Sequence, residues 1–354
     1  MKTAILTWHD VLNYGSAFQA YALQEIIKER GEEAEVLIHD RKLPEYFSNK
    51  LKDRTPIGLL RWLRNQTPAR RRYRNATKKK YNSFVVFRNQ YLNCKTHFSK
   101  TDADRVVIGS DQIFDINGMY YPWQFGKGIP CGIINTYAPS FGETTLQTLK
   151  KSPHYQEICE NIRSLNVVNA RDENTRQILS NILQKDIDIV LDPTLLYSFE
   201  KEKQAWNQRL IQEKYCLVYT WGGTSTTGEF ADKCREFADA NDLKLVSVGE
   251  IRPWCDIQWA SASPIEFFEL FMHADMVLTN MFHGTCFSIL MGRPFYSFVM
   301  PHNRNKLAGL LNFLGLESQI IENISDLKLA IPDLDYQAIN ATLDSKREIS
   351  TKYI

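Results

Sequence analysis

Short runs of apolar residues alternate along the chain with longer stretches in which apolar side chains recur at helical spacing. The run Thr3–Trp8 is apolar and β-branched, and Glu35–His39 is a second run of the same kind. Between them, Ser16–Arg30 has apolar residues at helical spacing and ends at Gly31. A strand, a helix and a strand in this order predict the opening of a Rossmann-like parallel sheet.

The alternation continues through both halves of the chain. Further strands are predicted at Arg105–Ile108, Ile133–Ala138, Asn166–Val168, Ile187–Leu191, Lys214–Thr220, Lys244–Val248, Met276–Thr279 and Pro294–Phe298. Helices are predicted at Tyr81–Tyr91, Thr144–Lys151, Pro153–Leu165, Glu229–Ala240, Pro264–His273, Thr285–Gly292 and Arg304–Leu314, with another starting near Arg171. The polar stretch Tyr197–Glu213 separates the two series. We therefore predict an α/β protein with two Rossmann-like domains, residues 1–200 and 201–354, facing across a cleft.

The segment Leu51–Lys80 departs from this alternation. It carries eleven Lys or Arg and a single acid, Asp53, so its charge is +10, and the rest of the chain is at −8. We predict a basic helical insertion near 42–100. Its centre, Ile57–Arg64, interleaves apolar and cationic residues, which is typical of a helix lying in an anionic membrane interface. Packing on its own domain or on a second subunit is the alternative, and nucleic acid is disfavoured because no binding motif accompanies the charge.

Composition excludes several other classes of protein. The seven cysteines are scattered and form no Cys-x-x-Cys pair, so neither a disulfide framework nor a zinc site is indicated. The start of the chain does not resemble a signal peptide, and no apolar run is long enough to span a bilayer. The prediction is a cytoplasmic protein that can rest on the inner face of the membrane. A dinucleotide is not indicated, because Gly-x-Gly-x-x-Gly is missing after the first strand.

Polar clusters follow several predicted strands directly. Asn13–Ser16 follows the first strand, Gly109–Gln112 a later one, and His283-Gly284 comes between a buried strand and a helix. In open α/β sheets, ligands bind at the edge formed by the carboxyl ends of the strands, and a helix N-terminus at that edge favours an anion. Some of these residues also have a purely structural interpretation. Tyr14 can belong to a plain turn, and His283 can be a histidine that packs in a turn. Arg171, at the start of another predicted helix, can be an ordinary surface charge.

Taken together, these stretches resemble the polysaccharide pyruvyl transferase family. The matching segments are Leu6–His9 with Asn13–Ser16, Ile108–Gln112, Tyr137–Gly142, Arg171-Asp172, Asp192–Thr194, Thr279–Thr285, and Arg293–Tyr296 with Arg304 downstream. They are collinear and cover nearly all of the chain. Three positions depart from the usual family pattern: Met281 stands where Ser is usual, Phe114 where Trp is frequent, and Pro139 where Ala is frequent.

The resemblance implies a fold similar to GT-B glycosyltransferases. It also implies phosphoenolpyruvate as donor and a sugar diol, in a polysaccharide or its lipid-linked precursor, as acceptor. The product would be a cyclic pyruvate ketal, with release of phosphate. Such a reaction needs no metal and no cofactor beyond phosphoenolpyruvate as co-substrate.

The chemistry assigns roles to particular residues. His283 suits the general acid, because histidine is the side chain most easily poised near neutral pH. Arg171 suits a carboxylate or phosphate as a bidentate fork, and Arg304 or Lys306 suits the second anion. Asp111 is a candidate for orienting or deprotonating an acceptor hydroxyl, with a structural cap as the alternative. The remaining substrate-binding candidates are Tyr14, Gly15, Ser16, Phe282, Gly284 and Thr285.

Two other functions fit the same predicted fold. A GT-B glycosyltransferase using a nucleotide sugar would have a base-stacking pocket in the second domain and a ribose-binding acid near Glu250 or Glu266. A non-catalytic module that binds a sugar or phosphate is the third hypothesis, and in that case Met281 would mark lost activity.

Overall fold

Two parallel sheets form the framework of the molecule. The structure, a computed structural model, describes residues 1–39, 67–117, 120–222, 227–300 and 304–354. The strands in these residues are β1 Lys2–Leu6, β2 Glu33–Val36, β3 Arg105–Ile108, β4 Ile134–Thr136, β5 Tyr215–Tyr219, β6 Lys244–Val248, β7 Ile257–Trp259, β8 Met276–Thr279, β9 Phe295–Phe298 and β10 Ile320–Ile321. The first sheet has the order β2-β1-β3-β4 and the second β10-β9-β8-β5-β6-β7, with all neighbours parallel.

Helices connect the strands and cover the sheets. They are α1 Tyr14–Glu29, α2 Pro68–Tyr91, α3 Leu146–Lys150, α4 Tyr155–Arg163, α5 Glu173–Leu183, α6 Pro193–Leu196, α7 Glu200–Ala205, α8 Glu229–Ala240, α9 Pro264–Met272, α10 Phe282–Leu290, α11 Arg304–Leu314 and α12 Tyr336–Thr351. Two Rossmann-like units facing across a cleft, the predicted GT-B-like architecture, are confirmed. In the described part of the chain, no helix is long and apolar enough to cross a membrane.

Some predicted boundaries are wrong. Asn166–Val168 and Ile187–Leu191 form isolated bridges rather than ladder strands. One reason is local: the amide side chain of Asn169 donates to the carbonyl of Thr136 and accepts from the N–H of Ala138, where a backbone ladder would otherwise continue. Helices α10 and α2 begin earlier than predicted, at Phe282 and at Pro68 respectively. Strands β7 and β10 and helices α6, α7 and α12 were not predicted.

The two halves share one apolar core beneath the cleft. Phe18 of α1 lies 5.0 Å from Phe287 of α10 between ring centroids, and one buried cluster contains residues from both sheets. Helix α12 returns to the first half, where Arg347 donates to the carbonyl of Leu195. This burial holds the carboxyl ends of the strands of the two sheets on either side of the cleft.

Candidate active site

A cavity of about 440 Å³ lies in the cleft between the two sheets. The first half contributes Asn13, Asp111 and Arg171 to its wall, and the second contributes Trp221, Glu250 and His283. Asn13, Asp111, Trp221, Glu250 and His283 each come shortly after a strand ends, where ligands bind in open α/β sheets. The cavity is therefore the candidate active site, and it lies within the size range of small-molecule sites.

His283 occupies the second position of α10, on the wall of this cavity. Its Nε2 atom is buried and lies 3.6 Å from Oδ2 of Asp192. The other ring nitrogen, Nδ1, lies against Gly15, where an added Cβ would come within 1.9 Å of it. Gly15 is therefore required as glycine by the close approach of the imidazole. The imidazole is thus held between the Asp192 carboxylate on its Nε2 side and the Gly15 backbone on its Nδ1 side.

Asp192 is a functional residue that the sequence analysis did not name as a site residue. Its Oδ1 accepts from the N–H of Thr194 and caps α6, while Oδ2 accepts from the hydroxyl of Ser110. Burial would raise the pKa of this carboxyl, but the nearby His283 and Arg171 outweigh burial and hold the pKa well below its usual range. The carboxylate is therefore ionised and faces the imidazole. Its sequence signal was the Asp-Pro-Thr turn, which a plain helix cap explains equally well.

Arg171 lies at the centre of a buried ionic cluster. Its Nη1 is 3.2 Å from Oδ1 of Asp111 and 3.0 Å from Oδ2 of Asp192. The guanidinium carbon also lies 4.5 Å from the ring centroid of Phe282, which places Phe282 on the cavity wall as a support for the cation. Since Nη1 is already shared by two carboxylates, Arg171 orders the cluster in this structure rather than offering both arms of a fork to a donor.

Asp111 faces the same cluster from the loop after β3. Besides Arg171, it accepts from the hydroxyl of Ser16 at 2.8 Å, so Ser16 reaches the site through Asp111. Burial raises the pKa of Asp111, but the charges of Arg171 and His283 outweigh burial and lower it overall. A carboxylate that is paired and acidic in this way is a weak general base. Orienting a hydroxyl is therefore its better role.

The two candidates for the second anion lie in different places. Arg304 is exposed and paired with Glu322 at 2.6 Å, away from the cavity wall. Lys306 lines the cavity, and its pKa is lowered by burial and by the charge of Arg171. Within the described part of the chain, its ammonium forms no hydrogen bond or ion pair. Of these two candidates, Lys306 is therefore the cation that can bind a ligand in the cavity.

Three other candidates lie in the interior. The Tyr14 hydroxyl donates to the carbonyl of Ala262 at 2.8 Å, and its ring stacks on Phe267, so it joins the two halves instead of facing the cavity. A Cβ at Gly284 would come within 2.1 Å of Oγ1 of Thr279. The hydroxyl of Thr285 lies 2.6 Å from that of Ser297. Gly284 and Thr285 seat α10 against β8 and β9, and so fix the position of His283.

The sequence profile of the polysaccharide pyruvyl transferase family matches residues 13–302, which include Asp111, Arg171, Asp192 and His283. The chain belongs to the polysaccharide pyruvyl transferase family. The resemblance found in the sequence is thereby confirmed. No curated protein matches the chain.

Solved structures with a similar arrangement include two UDP-GlcNAc 2-epimerases and a heptosyltransferase. The Neisseria meningitidis epimerase, bound to UDP-GlcNAc, is 12% identical with a TM-score of 0.46, covering 100% of this chain and 94% of the epimerase. The Methanocaldococcus jannaschii epimerase is 10% identical with a TM-score of 0.49, covering 97% and 92%. The E. coli heptosyltransferase with ADP is 10% identical with a TM-score of 0.43, covering 98% and 100%.

The transferase has further cavity residues that were not predicted as site residues. Lys80 reaches the cavity from α2, and Trp221 lies on its wall after β5. Glu250, named above as a possible ribose-binding acid, also lines the cavity, whereas Glu266 closes the capping box of α9 with Ser263. Among the described residues, no group of three or more His, Cys, Asp or Glu side chains is arranged to hold a metal ion.

Proposed function

We propose that this transferase moves the three-carbon group of phosphoenolpyruvate onto two hydroxyls of a sugar and releases phosphate. The observation that carries the proposal is the pairing of His283 with buried Asp192, because in this family member His283 lines the same cavity as Lys306. An acid beside an anion site is what ketal formation from an enol phosphate requires. The product is a cyclic pyruvate ketal.

His283 supplies the proton in this scheme. The ring, which faces the Asp192 carboxylate, donates a proton to the methylene carbon of phosphoenolpyruvate, and this makes C2 electrophilic. The first sugar hydroxyl adds to C2, and its proton returns to His283. The bond from C2 to the phosphate oxygen then breaks, the second hydroxyl adds and closes the ring, and its proton leaves with phosphate. In this scheme Asp111, which lines the cavity, orients one of these hydroxyls.

Two groups in the site can bind the negative charge of the donor. Lys306 offers an ammonium, and the first turn of α10 offers backbone N–H groups. Met281, at the N-cap, has no side-chain oxygen and makes no capping hydrogen bond, so those N–H groups are left to a ligand. In this proposal the Met281 departure from the family pattern is compatible with donor binding.

Phosphate release tests the function directly. With phosphoenolpyruvate and a panel of sugar diols, we expect phosphate release that depends on the acceptor, and a product whose mass spectrum shows one added pyruvate ketal. Millimolar phosphoenolpyruvate should also raise Tm, as a ligand of the native state does.

A nucleotide-sugar glycosyltransferase is the second candidate, because Glu250 and Trp221 line the second-domain wall of the cavity. A rise in Tm with nucleoside diphosphates but none with phosphoenolpyruvate, together with no phosphate release, would favour it. A rise in Tm with sugars alone and no turnover would favour a non-catalytic binding module.

We further propose that the basic insertion holds the transferase at an anionic bilayer. In the described part, Arg70, Arg71 and Arg72 are exposed on α2, whereas Ile57–Arg64 lies outside the described residues. Each basic residue near an anionic leaflet contributes about 1 kcal/mol. Neutralising all three arginines to glutamine should therefore weaken binding to phosphatidylserine vesicles by about a hundredfold in co-sedimentation. Protein that stays in the supernatant at low salt, with these vesicles in excess, would instead indicate a packing element.

A further inference from the structure

One side chain in the cavity wall is exposed although it is large and apolar. Trp221 follows β5, and 61% of its surface is accessible. Within the described part of the chain, its indole makes no ring contact with another aromatic side chain. An apolar surface of this size facing a cavity is characteristic of a binding site.

The backbone that carries this indole is held tightly. Asn280, three residues before His283, accepts from the N–H of Trp221 and donates to its carbonyl, both at 2.8 Å. Buried Arg252 donates to the carbonyls on either side, Thr220 at 3.0 Å and Gly222 at 3.2 Å. The structure thus fixes the backbone under the indole, as a preorganised contact surface requires.

Another wall of this end of the cavity is one face of the basic helix α2. The lining residues Tyr73, Ala76, Thr77 and Lys80 follow the spacing of a single helical face. The Lys80 ammonium donates to the carbonyl of Gly249 at 3.2 Å and lies 4.4 Å from the centre of the Tyr14 ring. Burial lowers the pKa of Lys80 to about 8, although the charge of Glu250 opposes the shift. No carboxylate of the described residues lies within ion-pair distance of this ammonium.

The charged groups of the cavity therefore fall into two sets. The pKa of Lys306 is shifted by the charges of Arg171 and Asp111, which belong to the cluster around His283. The pKa of Lys80 is shifted by the charge of Glu250, which lines the cavity on the Trp221 side. A reaction between an anionic donor and a sugar needs two subsites in one cavity, and the two sets supply them.

We propose that the Trp221 end is the acceptor subsite, in which the indole stacks on one face of a pyranose and Lys80 and Glu250 bind its hydroxyls. A pyranose has a face of C–H groups and a rim of hydroxyls, so it fits an aromatic surface flanked by one cation and one acid. The inference rests on the proposed function for the identity of the second substrate. It adds that the basic helix α2 helps to select the acceptor sugar.

Kinetics with soluble acceptors tests the subsite. Trp221→Ala should raise the acceptor KM by roughly tenfold, while Trp221→Tyr, which keeps an aromatic surface, should restore most of the affinity. The KM for phosphoenolpyruvate, and the rise in Tm that phosphoenolpyruvate causes, should be the same in these variants as in the wild type. Lys80→Met should raise the acceptor KM as well, whereas Lys79→Met, an exposed neighbour off the cavity wall, should not.

Binding without the donor separates this inference from the proposed function. Saturation-transfer NMR with methyl pyranosides of glucose, galactose, mannose and N-acetylglucosamine should show contact with the wild-type protein and a loss in Trp221→Ala. If that loss is seen but phosphoenolpyruvate is not consumed, the proposed function fails and the sugar subsite stands. If no pyranoside binds the wild type, or if Trp221→Ala raises the KM for phosphoenolpyruvate instead, the subsite is overturned.

Discussion

Replacing His283 with alanine is expected to lower kcat by roughly 10²–10⁴-fold while changing the KM for phosphoenolpyruvate far less. The reason is that a positioned general acid acts mainly in the transition state, where it contributes a factor of this size. The imidazole lies on the cavity wall with Asp192 behind it, so its removal deletes the proton donor and leaves Lys306 in place. Steady-state phosphate release at saturating donor measures the effect.

A second variant displaces the same imidazole and leaves its chemical structure unchanged. Gly15→Ala would place a Cβ within 1.9 Å of Nδ1, so the ring must move and kcat should fall. Gly309→Ala is the matched control, since Gly309 is also helical and its added Cβ would meet nothing within 4 Å. Near-normal turnover in His283→Ala would exclude the acid role. A normal kcat in Gly15→Ala would mean that the imidazole works from another position.

Arg171→Ala is expected to lower the free energy of unfolding by about 3–5 kcal/mol, the usual cost of removing one partner from a buried ion pair. The change leaves the buried carboxylates of Asp111 and Asp192 without their shared cation. Urea denaturation at pH 7 measures it. Arg176→Ala is the control, because that arginine forms a part-exposed pair with Glu173 on α5, and its loss should cost at most about 1 kcal/mol.

The deficit of Arg171→Ala should also depend on pH in a defined direction. Asp111 and Asp192 have lowered pKa values in the folded protein, so the stability that they contribute is present above the unfolded pKa of about 3.9 and is lost as the pH falls. Without Arg171 that contribution is reduced, so the difference from wild type should persist from pH 7 to about 4 and narrow as the pH falls below about 4, towards the lowered pKa values of the folded protein. A deficit that does not narrow below about pH 4, or one equal to that of Arg176→Ala, would show that the cluster does not hold these carboxylates.

The sequence predicted the α/β class and most strands because the patterns that encode them are local. A buried parallel strand is a short apolar run, and a helix repeats its apolar side chains every three to four residues. Met276–Thr279 followed by a helix is such a case. The pattern was wrong at Asn166–Val168, since the amide of Asn169 replaces ladder hydrogen bonds there. No periodicity reveals a side chain that substitutes for backbone pairing.

Several residues of the site could also be predicted from the sequence. A histidine directly after a buried strand and at the start of a helix lies at the ligand edge of a sheet in any α/β fold, which is why His283 could be named. The family resemblance ordered the other candidates along the chain.

The tertiary structure alone decided which charges meet. Asp192 and Arg171 belong to the first half and His283 to the second, and they come together because an apolar core joins the two halves beneath the cleft. The same core buries the Tyr14 hydroxyl, which the sequence placed at the ligand edge, and packs α2 so that Lys80 lines the cavity. Charge pairing across a cleft depends on the relative placement of two sheets, and the local pattern of neither half encodes it.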